Sequence, residues 1–280
     1  SGMQLDGKKF FYVNPLEVLP EACLKDYGKR RVKVERQKWF GCACCPPNII
    51  RLIASLEDYI YSANGRDLFV HLYVGGSFEA EVDGKPVRIA TRTNYPWEGE
   101  VGFTVGLDAP TAFTLKLRVP GWCEDYALKL NGETINAPVE NGYAVIDRLW
   151  QDGDRIELAL DMPVTLVRAN PRIYEDVGKV AVSRGPLVYC LEEADNSRNL
   201  HNLSLGAAAA SDFQTVWKAD KLGGIVELKS PGSRETDDGW GETPYSGVKA
   251  IETQPVTLTW IPYYSWANRD PGEMRVWIRR

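Results

Sequence analysis

A chain of 280 residues with 44% hydrophobic and 25% charged side chains can bury one large core or two smaller ones, because domains commonly run to ~100–150 residues. A net charge of -5, with no basic run interleaved with aromatics, excludes a nucleic-acid partner. No apolar stretch approaches the ~20 residues needed to cross a bilayer, so no membrane partner is expected.

Taken in chain order, the first sixty residues mix short elements. Lys9 to Val13 reads as an extended run and Pro15 to Leu24 as a short irregular or helical piece. Three of the six cysteines then fall in Trp39-Phe40-Gly41-Cys42-Ala43-Cys44-Cys45-Pro46-Pro47-Asn48. The two prolines suit the first turn of a helix, where a missing N–H costs little. Ile49, Leu52, Ile53, Leu56 and Ile60 follow at the spacing of one buried helical face, which predicts an amphipathic helix over Asn48 to Tyr61.

Beyond Tyr61 the periodicity changes from helical to alternating. Leu68 to Val74, Ser77 to Val82, Pro86 to Thr93, Phe103 to Leu107, Ala112 to Val119, Tyr126 to Leu130, Tyr143 to Asp147 and Arg155 to Leu160 read as strands. Turn signals at Gly75-Gly76, Asp83-Gly84, Asn131-Gly132, Asn141-Gly142 and Asp152-Gly153 punctuate them, which argues for an antiparallel sandwich. A second set begins after Pro163, with strands at Val180 to Ser183, Leu187 to Cys190, Phe213 to Trp217, Ile225 to Leu228, Val256 to Ile261 and Met274 to Ile278. The Gly-, Asp- and Glu-rich stretch Ser230 to Tyr245 reads as a loop. The closing strand follows a long excursion and is free to return to the first sandwich. The fold class is therefore mainly β, with two antiparallel β-sandwich domains.

The cysteine pair carries the chemistry. A helix N-terminus presents unpaired N–H groups and a partial positive charge, which favours thiolate over thiol and makes Cys44 and Cys45 candidate nucleophiles or metal ligands. The bland alternative is that they are small core residues. A disulfide between the two neighbours needs a strained peptide unit, since bridged Cα atoms lie ~4.4–6.8 Å apart and the trans spacing is ~3.8 Å. Zinc takes about four ligands, and only Cys42, Cys44 and Cys45 cluster here, so a metal site looks incomplete within this chain. His71, mid-strand, and His201, in an Asn-rich loop, are weak candidates for a partner base. Cys23, Cys123 and Cys190 are widely spaced, unlike the dense framework of a small secreted domain. A reducing, cytoplasmic location is expected. Ser1-Gly2 before Met3 reads as the scar of a cleaved tag, so any native leader would lie upstream.

Four segments together resemble glycoside hydrolase family 127, the β-L-arabinofuranosidase family of bacteria. They are Phe10 to Glu17, Trp39 to Ile49, Arg184 to Glu192 and Ile261 to Arg269, with Cys44-Cys45-Pro46-Pro47-Asn48 the most specific part. The resemblance implies an (α/α)6 barrel followed by two β-sandwich domains. Residues 1–61 would be the short helical end of the barrel, 62–165 the first sandwich with 274–280 returning to it, and 166–273 the second. It further implies a retaining glycosidase in which Cys44 is the nucleophile, Cys44 and Cys45 bind zinc, and Tyr12 holds the sugar. An arabinose-containing oligosaccharide or glycoconjugate would be the substrate. The family's acid/base Glu, its zinc-binding Glu and a further zinc-binding Cys lie upstream, and no motif links Glu17, Glu21 or Glu35 to those roles. This chain alone is therefore expected not to hydrolyse glycosides and to bind zinc weakly or not at all, with the exposed barrel remnant driving a homodimer. Two readings stay open: part of a thiol-dependent glycosidase, or a non-catalytic carbohydrate-binding or structural module.

Overall fold

Three of the turn signals adopt the backbone that their sequences call for. Asp83-Gly84, Asn131-Gly132 and Asn141-Gly142 all have positive φ at both positions, the requirement of a two-residue hairpin whose twist matches its strands. In the computed structural model, which describes all residues except 1, 27, 29–31, 43 and 248–251, strands predominate over helix and form several sheets. The chain divides into two units, Pro46–Met162 and a second made of Ser1–Cys45 with Pro163–Arg280.

The first unit holds a six-stranded and a five-stranded sheet. In the six-stranded sheet Glu133–Ile135, Tyr126–Leu130, Arg155–Leu160, Glu100–Leu107, Lys85–Thr93 and Gly76–Val82 lie side by side. In the other, Val139–Glu140, Tyr143–Trp150, Thr111–Arg118, Asp67–Val70 and Tyr61–Asn64 do so, with a parallel pairing between Asp67–Val70 and Thr111–Arg118. Alternate residues of both sheets enter one core. Val101, Phe103 and Val105 come from the six-stranded sheet, and Phe113, Leu115 and Trp150 from the five-stranded one. Trp150 is fully buried, stacks on Phe113 at 5.2 Å and donates its indole N–H to the Phe113 carbonyl at 2.9 Å. Its one polar group is thereby satisfied.

In the second unit, Ile225–Glu235 pairs with Thr253–Pro262, which pairs with Leu187–Glu192. Lys179–Arg184 pairs with Val164–Val167, with Leu187–Glu192 and with Ile278–Arg279, and the pairings of the ten-stranded sheet run in a closed ring. Closure leaves few open edges to recruit another chain. Residues 17–18 add a strand at its margin, where Met274–Arg275 pairs with Glu17–Val18.

Several expectations need correcting. The helix starts earlier than predicted and is shorter, running over Cys45–Ala54, with a 3-10 turn at Leu56–Tyr59. Its apolar face is not buried: Leu52 is 53% and Ile53 66% exposed, and the helix contains no buried residue. Periodicity identifies an apolar stripe, not what covers it. The closing residues do not return to the first sheet pair. Met274–Arg275 and Ile278–Arg279 both join the ten-stranded sheet, and residues 1–45 pack with that unit rather than standing apart. Ser230 to Glu235 is strand, not loop, paired residue by residue with Thr253 to Leu258. A Cβ on Gly232 would sit 2.6 Å from Leu258 Cδ1 and 2.9 Å from the Ser204 carbonyl, so this glycine permits close packing inside a strand instead of marking a turn. The strand expected over Leu68 to Val74 covers only Asp67–Val70.

Candidate active site

Along the extended segment at Phe10 to Tyr12, successive side chains point to opposite sides. Phe10 and Tyr12 meet the ring of Phe40 at 5.0 and 5.5 Å, while Phe11 lies flat on Trp266, with centroids 4.5 Å apart and planes 3° from parallel. The Arg36 guanidinium sits 4.7 Å over the Phe11 ring and donates to the Trp266 carbonyl at 2.6 Å and the Gly2 carbonyl at 3.1 Å. Burial lowers the Arg36 pKa to about 10, against the pull of Glu192 and Tyr263, so it stays charged near neutral pH. Tyr263 donates to the Pro15 carbonyl at 2.7 Å. The N-terminal segment is thus pinned by residues some 230 to 250 positions away in sequence.

Trp266 is held in turn by an ionic network. Arg269 grips both oxygens of Asp195, at 2.8 and 2.7 Å, and also donates to Glu192. Glu192 accepts from the Ala267 amide, and Lys221 donates to Asp195 at 2.9 Å and to Glu227 at 2.6 Å. Planar bidentate pairing of this kind fixes geometry as well as charge.

At the exposed end of this scaffold lie the thiols. All six cysteines are reduced. Cys42 donates its S–H to the Tyr12 hydroxyl at 3.2 Å, and that hydroxyl is 3.1 Å from Cys44 Sγ. With its own hydrogen directed at Cys44, Tyr12 completes a relay from Cys42 to Cys44. Cys45, the first residue of the helix, has its sulfur 3.6 Å from that of Cys44. The Tyr12 hydrogen bond is the largest influence on Cys44 and lowers its thiol pKa, with Cys45 and Cys42 acting in the same direction. The hydrogen bond with Cys44 raises the pKa of Cys45. The same contacts, Cys42 first, push the Tyr12 phenol upward. The Cys44–Cys45 contact thus draws Cys44 toward the thiolate and Cys45 away from it.

Zinc–thiolate bonds of ~2.3 Å in a tetrahedron put sulfurs ~3.8 Å apart. The Cys42–Cys44 and Cys44–Cys45 separations, 3.8 and 3.6 Å, fit two at a time. Among the described residues no group of three or more His, Cys, Asp or Glu side chains is arranged to hold a metal ion, so the thiols fit part of a zinc site only. Glu17 pairs with Arg275 at 2.6 Å and Glu21 with Lys25 at 3.8 Å, and Glu35 is exposed. His71 bonds Ser62 Oγ at 2.8 Å and the Tyr143 hydroxyl at 2.7 Å, and burial lowers its pKa. His201 is exposed on a short 3-10 turn. No motif marks Arg36, and Trp266 lies in the family-like segment Ile261 to Arg269 without an implied role.

Family models match successive stretches of the chain: the β-L-arabinofuranosidase GH127 catalytic domain over residues 1–58, the GH127 middle domain over 67–162 and the GH127 C-terminal domain over 164–279. The non-reducing end β-L-arabinofuranosidase of Bifidobacterium longum subsp. longum is 41% identical over 292 aligned positions, covering 100% of this chain and 43% of that relative. A GH127 β-L-arabinofuranosidase from Geobacillus stearothermophilus T6 superposes with a TM-score of 0.94 at 48% identity, over 99% of this chain and 44% of that one. A further GH127 β-arabinofuranosidase gives 0.85 at 35% identity, over 99% and 43%. The chain spans less than half the length of these relatives. With three successive models of one family accounting for almost every residue, the chain belongs to glycoside hydrolase family 127.

Proposed function

We propose that this chain is the C-terminal part of a retaining glycoside hydrolase acting on β-L-arabinofuranosides, with Cys44 as nucleophile and Tyr12 beside the sugar. The observation that carries the reading is the Tyr12–Cys44 contact at 3.1 Å, the largest of the influences that lower the Cys44 thiol pKa. In the first step Cys44 sulfur bonds to the anomeric carbon as the glycosidic C–O bond breaks, and the leaving oxygen takes a proton from an acid elsewhere in the complete protein. Water then attacks the same carbon, giving its proton to the conjugate base of that acid, the C–S bond breaks, and the thiolate is restored with net retention. Tyr12 donates to sulfur in the resting state and is placed to follow the hydroxyls of the ring as sulfur loses its charge.

Cys44 and Cys45 are the residues that would hold zinc in the complete enzyme, where the metal supplies charge that keeps sulfur deprotonated. The exposed apolar stripe of Cys45–Ala54, with the catalytic-domain match over residues 1–58, supports reading this part as the end of an (α/α)6 barrel. The two sheet-rich units would then be the two β-sandwich domains. The substrate would be an arabinose-containing glycan, as the name of the Bifidobacterium relative suggests. On this reading the chain alone neither turns over an aryl β-L-arabinofuranoside nor binds zinc tightly.

Alkylation tests the assignment. Iodoacetamide at neutral pH, followed by peptide mapping, should label Cys44 ahead of Cys45. Equal labelling, or preference for Cys45, would remove the basis for choosing Cys44.

A further inference from the structure

We propose that Cys42 and Cys44 form a hydroperoxide-oxidisable dithiol in which Cys42 resolves an oxidised Cys44 into a disulfide. Cys42 is the one sulfur of the cluster to which the glycosidase reading gives no part. Its Sγ lies 3.8 Å from Cys44 Sγ, both residues are exposed, and the Tyr12 hydroxyl contacts both sulfurs, at 3.2 and 3.1 Å. Tyr12 is itself braced by Phe40. The two sulfurs are thus held together on an accessible surface by a fixed third group.

Closing a disulfide to ~2.05 Å requires the sulfurs to approach by less than 2 Å, within reach of a side-chain rotation at an exposed residue. Cys45 is slightly nearer to Cys44, at 3.6 Å, but geometry disfavours it. Neighbouring Cα atoms are only ~3.8 Å apart, below the ~4.4–6.8 Å that a relaxed disulfide spans. Two peptide steps between Cys42 and Cys44 can reach ~7 Å, so that pair meets the requirement without distorting a peptide unit.

The chemistry balances with a hydroperoxide as oxidant. Cys44 sulfur attacks the terminal peroxide oxygen, the O–O bond breaks, and hydroxide or alkoxide leaves with the thiol proton, giving a sulfenic acid. Cys42 sulfur then attacks Cys44 sulfur, the S–S bond forms as the S–O bond breaks, and the departing hydroxide takes the Cys42 proton as water. In sum two thiols and one peroxide give one disulfide, one water and one water or alcohol. A dithiol reductant reverses it. Without Cys42 the sulfenic acid would persist and pass to sulfinic acid, which a dithiol does not reverse.

The inference concerns sulfur geometry and stands whether or not Cys44 attacks sugars, because it is read by thiol counts and peptide masses instead of turnover. The 280-residue chain, treated with a chelator and then hydrogen peroxide, should lose two titratable thiols, and its peptide map should contain an intrachain Cys42–Cys44 link. Cys42→Ser, and Cys42→Ala as a second variant checked for native circular dichroism, should instead accumulate dimedone-trapped sulfenic acid and then sulfinic acid at Cys44. Cys45→Ser should still form the link. Tyr12→Phe, which frees the two sulfurs from their common clamp, should form it more slowly. A Cys44–Cys45 link, a disulfide found only between chains, or sulfinic acid appearing in the wild-type chain as fast as in Cys42→Ser would each overturn the proposal.

Discussion

Replacing Arg269 with Met keeps side-chain length and removes the charge at the centre of the network that supports Trp266. The change leaves Glu192 and Asp195, with side chains 6% and 13% exposed, without the guanidinium that joins them, and Lys221, shared with Glu227, pairs with Asp195. Breaking a buried ion pair by removing one partner costs ~3–5 kcal/mol. Because Arg269 retains 26% exposure, the lower end applies, about 3 kcal/mol. For a protein of this size that is a drop of ~6–12 °C in Tm by calorimetry. Arg269→Lys keeps charge but loses the fork, and should fall between the two. The acid limb provides a second readout. Burial alone would raise the Asp195 pKa, but Arg269 and Lys221 outweigh it and hold it below the ordinary carboxylate value. A carboxylate depressed in the folded state contributes stability above its unfolded pKa of ~3.9, and loses that contribution as pH falls through the folded value. Arg269→Met should therefore lose most stability at neutral pH and least under strongly acid conditions. A loss below ~1 kcal/mol at pH 7, the range of exposed pairs, would refute the view that this network supports the fold.

Trp150→Ala removes a fully buried indole and its bond to the Phe113 carbonyl, and should cost ~3–5 kcal/mol in urea denaturation. Gly232→Ala drives a Cβ against Leu258 and the Ser204 carbonyl, with an expected loss of ~1–3 kcal/mol in the same assay; an unchanged midpoint would mean that the two strands separate freely there. Leu52→Glu with Ile53→Glu alters exposed positions, so folding stability should move by less than ~0.5 kcal/mol. If the apolar stripe drives self-association, light scattering should show the wild-type chain as a dimer and the double variant as a monomer. A monomeric wild-type chain would end the dimer expectation.

What the sequence revealed was governed by local chemistry. Asp83-Gly84, Asn131-Gly132 and Asn141-Gly142 announce their turns because a positive φ at both positions is met cheaply by few residue pairs, and the strands beside them alternate because each buries one face. The same local rules misread Pro231 and Gly232, where the usual punctuation residues lie inside a strand and the deciding contact comes from Leu258 on the neighbouring one. They also overstated the helix, since spacing shows an apolar face at Leu52 and Ile53 but carries no information about a covering surface.

The site shows the division most clearly. Cys44 and Cys45 stand out by residue type and spacing, yet the largest influence on the Cys44 thiol is Tyr12, 32 positions away, which only the family resemblance marks. Behind Tyr12 stands a chain of non-local contacts: Phe11 on Trp266, Arg36 between Phe11 and the Trp266 carbonyl, and Glu192 joined to the Ala267 amide and to Arg269. None of these pairs has a spacing that periodicity could find. They explain why segments as distant as Phe10 to Glu17, Arg184 to Glu192 and Ile261 to Arg269 go together in one sequence signature, with Tyr12 of the first reaching Cys44. The hydroxyl that lowers the Cys44 thiol pKa can be no better placed than the turn that holds Trp266. Weakening the ionic network far from the thiols should therefore reach Cys44 through the position of Tyr12, and Arg269→Lys, checked for native circular dichroism, should blunt the preference of iodoacetamide for Cys44 over Cys45. An undiminished preference in that variant would show that the thiols and the aromatic pair at Phe40 hold Tyr12 without help from the sheet.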